Sequence, residues 1–201
     1  MSFALSFSVY GYRFHAGLDA LIQSYHHANE AVLQREEAVK QSLVDYHAAV
    51  AHGEPRDGEW DDEGHTLWER DDLLTMDIET AEEAVYELRR AILIGIYHHW
   101  ERAMRIVTGD YKGHHPDLIK KAPQHKIQIS PDLVKVVRAA NALKHNNDAR
   151  GNEALLAWPD IFPSGFQPRT NADWYSAIRP SDAHIEQAIN IVAASGPKVN
   201  P

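Results

Sequence analysis

The sequence has no cysteine and no long hydrophobic run. The first absence excludes disulfide frameworks, thiolate zinc sites, iron–sulfur clusters and cysteine nucleophiles. The second argues against a membrane-spanning helix, which needs roughly 18 apolar residues, so we expect no membrane partner. The chain also opens without a basic segment and lacks an Asn-x-Ser/Thr acceptor. These absences together favour a cytoplasmic location.

The motifs of several enzyme classes are missing as well. There is no phosphate-binding glycine loop, no Gly-x-Ser-x-Gly and no His-Glu-x-x-His. None of the 13 histidines follows a glutamate by three residues, which excludes the di-iron site of ferritin-like bundles. We therefore expect no cofactor and no metal. One metal alternative stays open, a mononuclear site in which His98 meets His26 or His47.

Charge is distributed unevenly along the chain. The formal net charge is −9, and residues 51–100 hold 14 acidic against 4 basic side chains. Residues 101–150 reverse this balance, with 10 basic against 5 acidic side chains. The overall charge argues against loose binding to polyanions, whereas the local excess of base suits a phosphate-binding surface.

Apolar residues recur at steps of three and four, which predicts an all-α protein. A first helix is predicted over residues 17–51, with an inward stripe of Leu18, Leu21, Tyr25, Ala28, Val32, Val39, Leu43, Tyr46 and Val50. A second helix runs from about residue 67 or 80 to 108, with an inward stripe of Ala81, Val85, Leu88, Ile92, Ile96, His99, Ala103 and Ile106. Shorter helices are predicted over 131–145, over 152–158 and from a Ser181 cap to Gly196.

These helices predict one domain, residues 1–201, built as a helical bundle on a long antiparallel helix hairpin. We expect four irregular segments: an N-terminal extension at 1–16, an acidic loop at 52–66, a proline-rich loop at 159–180 and a flexible tail at 196–201. His114 and His115 precede Pro116 in the loop after the second helix. We expect both of these histidines to be solvated.

The helix predicted over 131–145 carries three polar residues on one face. Arg138, Asn141 and His145 are spaced by three and then four positions. The opposite arc is apolar and consists of Leu133, Val136, Val137, Ala140 and Leu143. Arginine binds phosphate through charge-assisted bonds, and histidine is the side chain whose proton moves near neutral pH. This polar face therefore indicates a phosphate-binding or proton-transferring site.

The second helix offers a matching polar face. Its members are Glu87, Arg90, Ile94, His98, Glu101 and Arg105. We expect the Glu101 carboxylate to orient Arg138 or His145. The plainer alternative for Glu101 is an i,i+4 surface pair with Arg105. His99 lies on the apolar stripe instead, where we expect a hydrogen-bonded core residue.

Arg138 to His145 fits the arginine, four to six residues, histidine signature of the HEPN superfamily. The stretches GIYHHWERAMR (95–105) and RAANALKHNNDARGNEALLAWPDIF (138–162) extend the likeness. They resemble small HEPN-like proteins that pair a Trp-Glu-Arg helix with a later Asn-x-x-Lys-His and Pro-x-x-Phe. The resemblance covers about residues 80–162. It implies an all-helical fold and, as in many members, a metal-independent ribonuclease of toxin or defence systems.

The resemblance also implies a mechanism, in which the RNA 2′-hydroxyl attacks the adjacent phosphodiester and leaves a 2′,3′-cyclic phosphate. His145 would act as general base or acid, while Arg138 would stabilise charge on the phosphoryl oxygens. Asn141 would position a phosphate or the imidazole. Glu101 would hold Arg138 or set the tautomer of His145.

The expected partners follow from the same likeness. HEPN sites usually form across a two-fold dimer, which implies a homodimer here, and a cognate antitoxin or other partner protein accompanies many of them. RNA is the expected substrate. We expect Lys144, Arg105 and Lys135, from the basic segment, to contact it.

Two alternatives to a ribonuclease stay open. Active HEPN ribonucleases usually place a polar residue directly after the arginine, and this chain has Ala139 there. Ala139 and the net charge of −9 favour a catalytically inactive helical interaction protein with the same fold. The second alternative is the His-metal helical-bundle protein based on His98.

Overall fold

The computed structural model describes residues 7–200. In this range the α-helices are α1 (Val9–Ala51), α2 (Arg70–Thr108), α3 (His115–Lys121), α4 (Leu133–His145), α5 (Asp148–Ala157), α6 (Trp174–Ala177) and α7 (Asp182–Ala194). Short 3₁₀ turns span Ala122–His125 and Pro159–Ile161, and β1 (Gly58–Trp60) pairs antiparallel with β2 (Thr66–Glu69). The all-α prediction is confirmed for these residues, apart from this small sheet. None of the described helices has a stretch long and apolar enough to cross a membrane.

The inward stripe predicted for α1 is confirmed. Leu18 and Tyr25 are buried, and the other residues of that stripe are half-buried. The helix begins at Val9, eight residues before the predicted start, so part of the expected extension is helical. Residues 1–6 of that extension lie outside the described residues.

The acidic loop expected at 52–66 contains β1 and the turn of a hairpin whose second strand, β2, extends past the end of that loop. Trp68 donates its indole N–H to Glu59 across the pair, over 3.2 Å. The Asp61 carboxylate accepts the backbone N–H groups of Glu63 and His65 and closes the turn. Strands of three and four residues are too short for a period-two pattern to stand out, which is why the sequence predicted only a loop.

The chain forms two compact units, which we describe separately. The second unit is His26–Leu88. In it, Lys40 contacts Glu82 over 2.9 Å and His47 pairs with Asp71, so the α1 and α2 segments of this unit run in opposite directions. The prediction of a single domain stays a prediction.

The first unit comprises Met1–Tyr25 and Arg89–Pro201, and tryptophans form its core. Trp100, Trp158 and Trp174 are almost completely buried, and the Trp100 indole N–H donates to the Ser195 carbonyl over 2.8 Å. Burial on this scale is the main stabilising contribution of aromatic side chains.

Two predicted irregular segments of this unit are more ordered than expected. The proline-rich loop contains α6 and is joined at its ends by a hydrogen bond from the Arg179 N–H to the Ile161 carbonyl, 2.7 Å long. The expected flexible tail packs against the start of α1, because Gly196 is buried beside the Phe14 ring and Ser8 N–H donates to Val199 O over 2.8 Å. Pro201 lies outside the described residues.

Candidate functional site

A cavity of about 400 Å³ lies in the first unit between the polar faces of α2 and α4. We call it the α2–α4 pocket. Its polar lining consists of Tyr97, Glu101, His114, His115, Arg138, Asn141, Lys144 and Arg150. The pocket therefore brings together four of the seven residues that the sequence predicted for the site, Arg138, Asn141, Glu101 and Lys144.

The geometry of α4 follows from its apolar arc. Every residue predicted on that arc is buried, which leaves Arg138 and Asn141 half-buried on the opposite side. α4 ends where Asn146 adopts the left-handed conformation with φ 42°. The next residue, Asn147, caps α5 by accepting the Arg150 N–H over 3.0 Å. This tight turn folds α5 back beside α4.

α5 supplies the partner of Arg138. The Arg138 guanidinium donates to the Glu153 carboxylate over 2.5 Å, and Arg150 contacts the same oxygen over 3.0 Å. The hydrogen bond from Arg150, with the charge of Arg138, holds the pKa of Glu153 below its usual range. One carboxylate thus lies between two guanidinium groups, and the sequence reasoning missed both Glu153 and Arg150. The i,i+3 spacing of those two residues was the available signal.

Glu101 does not hold Arg138, contrary to the sequence-based expectation. Its carboxylate pairs with Arg105, four residues on, over 3.2 Å and accepts the Tyr97 hydroxyl over 3.5 Å. The plainer alternative for Glu101 is therefore the observed contact. The side chain of Glu101 is nevertheless only 17 % exposed and lines the same pocket as Arg138. Burial of Tyr97, with the nearby charge of Glu101, raises the pKa of the Tyr97 hydroxyl.

His115 was expected to be solvated, and this expectation is wrong. It is the first residue of α3, and its ring lies against Trp100 and Tyr97 with centroid distances of 5.1 and 5.8 Å. Its Nδ1 is buried and has no hydrogen-bond partner on the described chain. Burial lowers the pKa of the His115 imidazole; the Glu101 charge opposes that shift and the Arg138 charge adds to it. Its position in a Gly/Pro loop concealed its burial in the sequence.

The other predicted residues lie outside the pocket lining. His145 is exposed in the last turn of α4. Lys135 pairs with Asp132 over 3.0 Å. Arg105 donates its Nε–H to the Gly113 carbonyl over 3.1 Å. It therefore holds the loop before α3 in addition to pairing with Glu101.

Two further residues of α2 were given roles by the sequence. Arg90 was expected on the polar face, but it is completely buried and donates to the carbonyls of Ile178 and Ser176 over 2.9 and 3.2 Å. His99 accepts or donates a hydrogen bond at Phe14 O over 2.9 Å, which confirms the hydrogen-bonded role. Within residues 7–200, no group of three or more histidine, aspartate or glutamate side chains is placed to hold a metal ion.

The charges around the pocket suit an anion. Arg138, Arg150 and Lys144 line it together with Glu101, whose carboxylate is compensated by Arg105. Glu153 pairs with Arg138 from outside the lining. These cationic side chains and the Asn141 amide are hydrogen-bond donors, and the oxygens of a phosphate group accept such bonds. The half-buried His115 imidazole lines the same pocket and is the kind of group that transfers a proton to or from a bound molecule.

No family model, no curated protein and no solved structure matches this chain.

Proposed function

We propose that the protein is a metal-independent endoribonuclease of HEPN type, with an HEPN-like helical bundle and the α2–α4 pocket as the binding site of the scissile phosphodiester. The supporting observation is the convergence of Arg138, Arg150 and Lys144 with Asn141 on one cavity. A phosphodiester carries one negative charge and several acceptor oxygens, which match these donors.

The reaction proposed for this pocket is an internal transesterification. The 2′-oxygen of RNA attacks the neighbouring phosphorus, and the 5′-oxygen leaves. Arg138 donates to the phosphoryl oxygens as negative charge develops on them. To reach the phosphate, its guanidinium keeps one N–H on Glu153 and turns the others toward the pocket, which a fork of five donors permits.

The resemblance assigns proton transfer to His145, which is exposed in the last turn of α4, and it implies a homodimer. In a two-fold dimer the exposed end of α4 is available to a second copy. Lys144, adjacent in sequence and also exposed, lines the pocket and is proposed to contact the RNA backbone.

A cleavage assay in EDTA tests this function directly. Purified wild type is incubated with varied RNAs, and product ends are identified after denaturing electrophoresis. We expect 2′,3′-cyclic phosphate ends, and a loss of about hundredfold or more for Arg138→Ala. Arg169→Ala is the matched control, because this exposed arginine does not line the pocket. An equal loss in both variants, or no cleavage by the wild type, would reject the proposal.

A catalytically inactive interaction protein is the second candidate. Ala139 is completely buried, so the position after the arginine faces the core and presents no side chain to the pocket. The Arg138 guanidinium is also already neutralised by Glu153. An absence of cleavage together with a stable dimer in light scattering would favour this candidate.

A further inference from the structure

We propose that His115 is the proton-accepting catalytic residue of the α2–α4 pocket and takes the proton of the RNA 2′-hydroxyl. This inference rests on the proposed ribonuclease function and deepens it. It assigns the base to a residue that lies 23 positions before Arg138 in the sequence and outside the arginine–histidine signature.

The position of His115 is rigidly determined by the segment around it. The preceding loop is held by the Arg105 hydrogen bond to the Gly113 carbonyl and by the ion pair of Lys121 with Asp110, 2.7 Å long. On the far side, Leu118 of α3 is completely buried. A catalytic imidazole requires this kind of support, because small misplacements cost large factors in rate.

The described surroundings of His115 pack against its ring but supply no hydrogen bond to its Nδ1. Its aromatic neighbours, Trp100 and Tyr97, supply packing, and Nδ1 has no hydrogen-bond partner on the described chain. Buried polar atoms are nearly always paired, so an unpaired ring nitrogen in a pocket wall needs an explanation. No hydrogen bond within residues 7–200 engages Nδ1, which is closed to solvent, so a bound hydroxyl would reach the ring at Nε2.

Charged groups face this imidazole from two helices. Glu101 and Tyr97 belong to α2 and Arg138 belongs to α4. Burial and the charge of Arg138 lower the pKa of His115, whereas the charge of Glu101 raises it. Burial has the largest effect, so the pKa is lowered overall. The ring is therefore neutral at neutral pH, which is the state that a general base requires.

The step balances without any added reagent. The 2′-oxygen gives its proton to His115 and bonds to phosphorus, while the bond from phosphorus to the 5′-oxygen breaks. The leaving 5′-oxygen takes a proton from water, and the hydroxide formed removes the proton from His115. One phosphodiester becomes a 2′,3′-cyclic phosphate and a 5′-hydroxyl.

Paired glutamine variants test the assignment. His115→Gln is compared with His125→Gln, because His125 is exposed, lies in the 3₁₀ turn that follows α3 and does not line the pocket. We expect the first change to lower the cleavage rate about hundredfold or more and the second to change it less than about fivefold. Binding of a 2′-deoxy oligonucleotide, which cannot be cleaved, should stay within about threefold of wild type in both.

The failures of the two proposals are distinguishable. If wild type cleaves RNA and His115→Gln cleaves it equally well, the role of His115 is wrong and the ribonuclease stands. If wild type does not cleave RNA, both proposals fail. If His115→Gln does not fold, the rate profile of His145→Gln decides: a rate that falls as the pH is lowered below the usual histidine pKa of about 6.5 supports the assignment, and a profile that stays flat overturns it.

Discussion

The first turn of α3 and the last turn of α4 each present a histidine, and the two rings meet opposite surroundings. His115 is half-buried against Trp100 and lines the α2–α4 pocket. His145 is exposed and lies outside the pocket lining. The arginine–histidine signature indicates His145 as the proton-transferring residue, whereas the packing indicates His115.

This difference shows what the residue spacing of a helical motif predicts and what it does not. A spacing of three and four places residues on one side of a helix, but it says nothing about how far along the helix a neighbouring element covers that side. His115 of α3 lines the same pocket as Arg138 in the middle of α4, whereas His145 in the last turn is exposed and lies outside that lining.

The largest expected effect separates the two histidines in the cleavage assay. His145→Gln should lower the rate less than about fivefold, against the loss of about hundredfold or more for His115→Gln, because only the second ring lines the pocket. Initial rates on one RNA measure both. A larger loss for His145→Gln would break the comparison and place the chemistry at the open end of α4, as a site shared with a second copy would require.

The next effect concerns the support of the pocket by α5. A side-chain carbon at Gly151 would overlap the Trp174 ring, so Gly151→Ala should lower the free energy of unfolding by about 2 kcal/mol. Urea denaturation measures the change.

Gly95→Ala is the control for this substitution. A side-chain carbon at Gly95, in the interior of α2, has no neighbour within 4 Å and should raise the free energy of unfolding by about 0.5 kcal/mol. Equal stability of the two variants would contradict the packing described for α5.

A smaller effect is expected from the carboxylate between the two guanidinium groups. Glu153→Gln removes a charge that competes with phosphate for Arg138 and Arg150, so a 2′-deoxy oligonucleotide should bind about threefold more tightly. Fluorescence anisotropy at fixed salt measures the affinity. Weaker binding would instead show that Glu153 is needed to hold Arg138 in place.

The smallest effect is on the pH dependence of stability. The pKa of His115 is lowered by burial in the folded protein, so the unfolded chain binds more protons below the usual histidine range of about 6.5. The contribution of this ring to stability is present above that range and is lost as the pH falls through the folded value. His115→Gln should therefore flatten the decline in stability that begins as the pH falls below about 6.5.

A second histidine with a lowered pKa and a comparison variant determine how this pH dependence of stability is interpreted. Burial also lowers the pKa of His184, so some decline should persist in His115→Gln. His145→Gln, at an exposed position, is the comparison variant, and an equal flattening in both would contradict the distinction between the two rings.

Much of the fold could be predicted from the sequence. The ends of α2 at Thr108 and of α4 at His145, the Ser181 cap of α7 and the buried arc of α4 follow from apolar spacing and capping residues. The short strands and α3 could not be predicted, because they are too brief for a periodic pattern to distinguish them from turns.

The candidate site was predictable only in part. The spacing of Arg138 and Asn141 placed both on one face, and both line the pocket. The Glu153 partner was not predictable, because it depends on the turn at Asn146 that folds α5 back. The burial of Arg90 was missed for a related reason: its partners, the carbonyls of Ile178 and Ser176, lie almost ninety positions away.

The sequence by itself determined where the long helices lie and which of their side chains share a face, because both depend on neighbours within one or two turns. Tertiary structure alone decided which polar groups meet across helices: Glu153 meets Arg138, Glu101 is not paired with Arg138, and His115 lines the pocket. The reason is physical. Burial and charge act through space, so the environment of a side chain is set by elements that packing brings near it, whatever their distance along the chain.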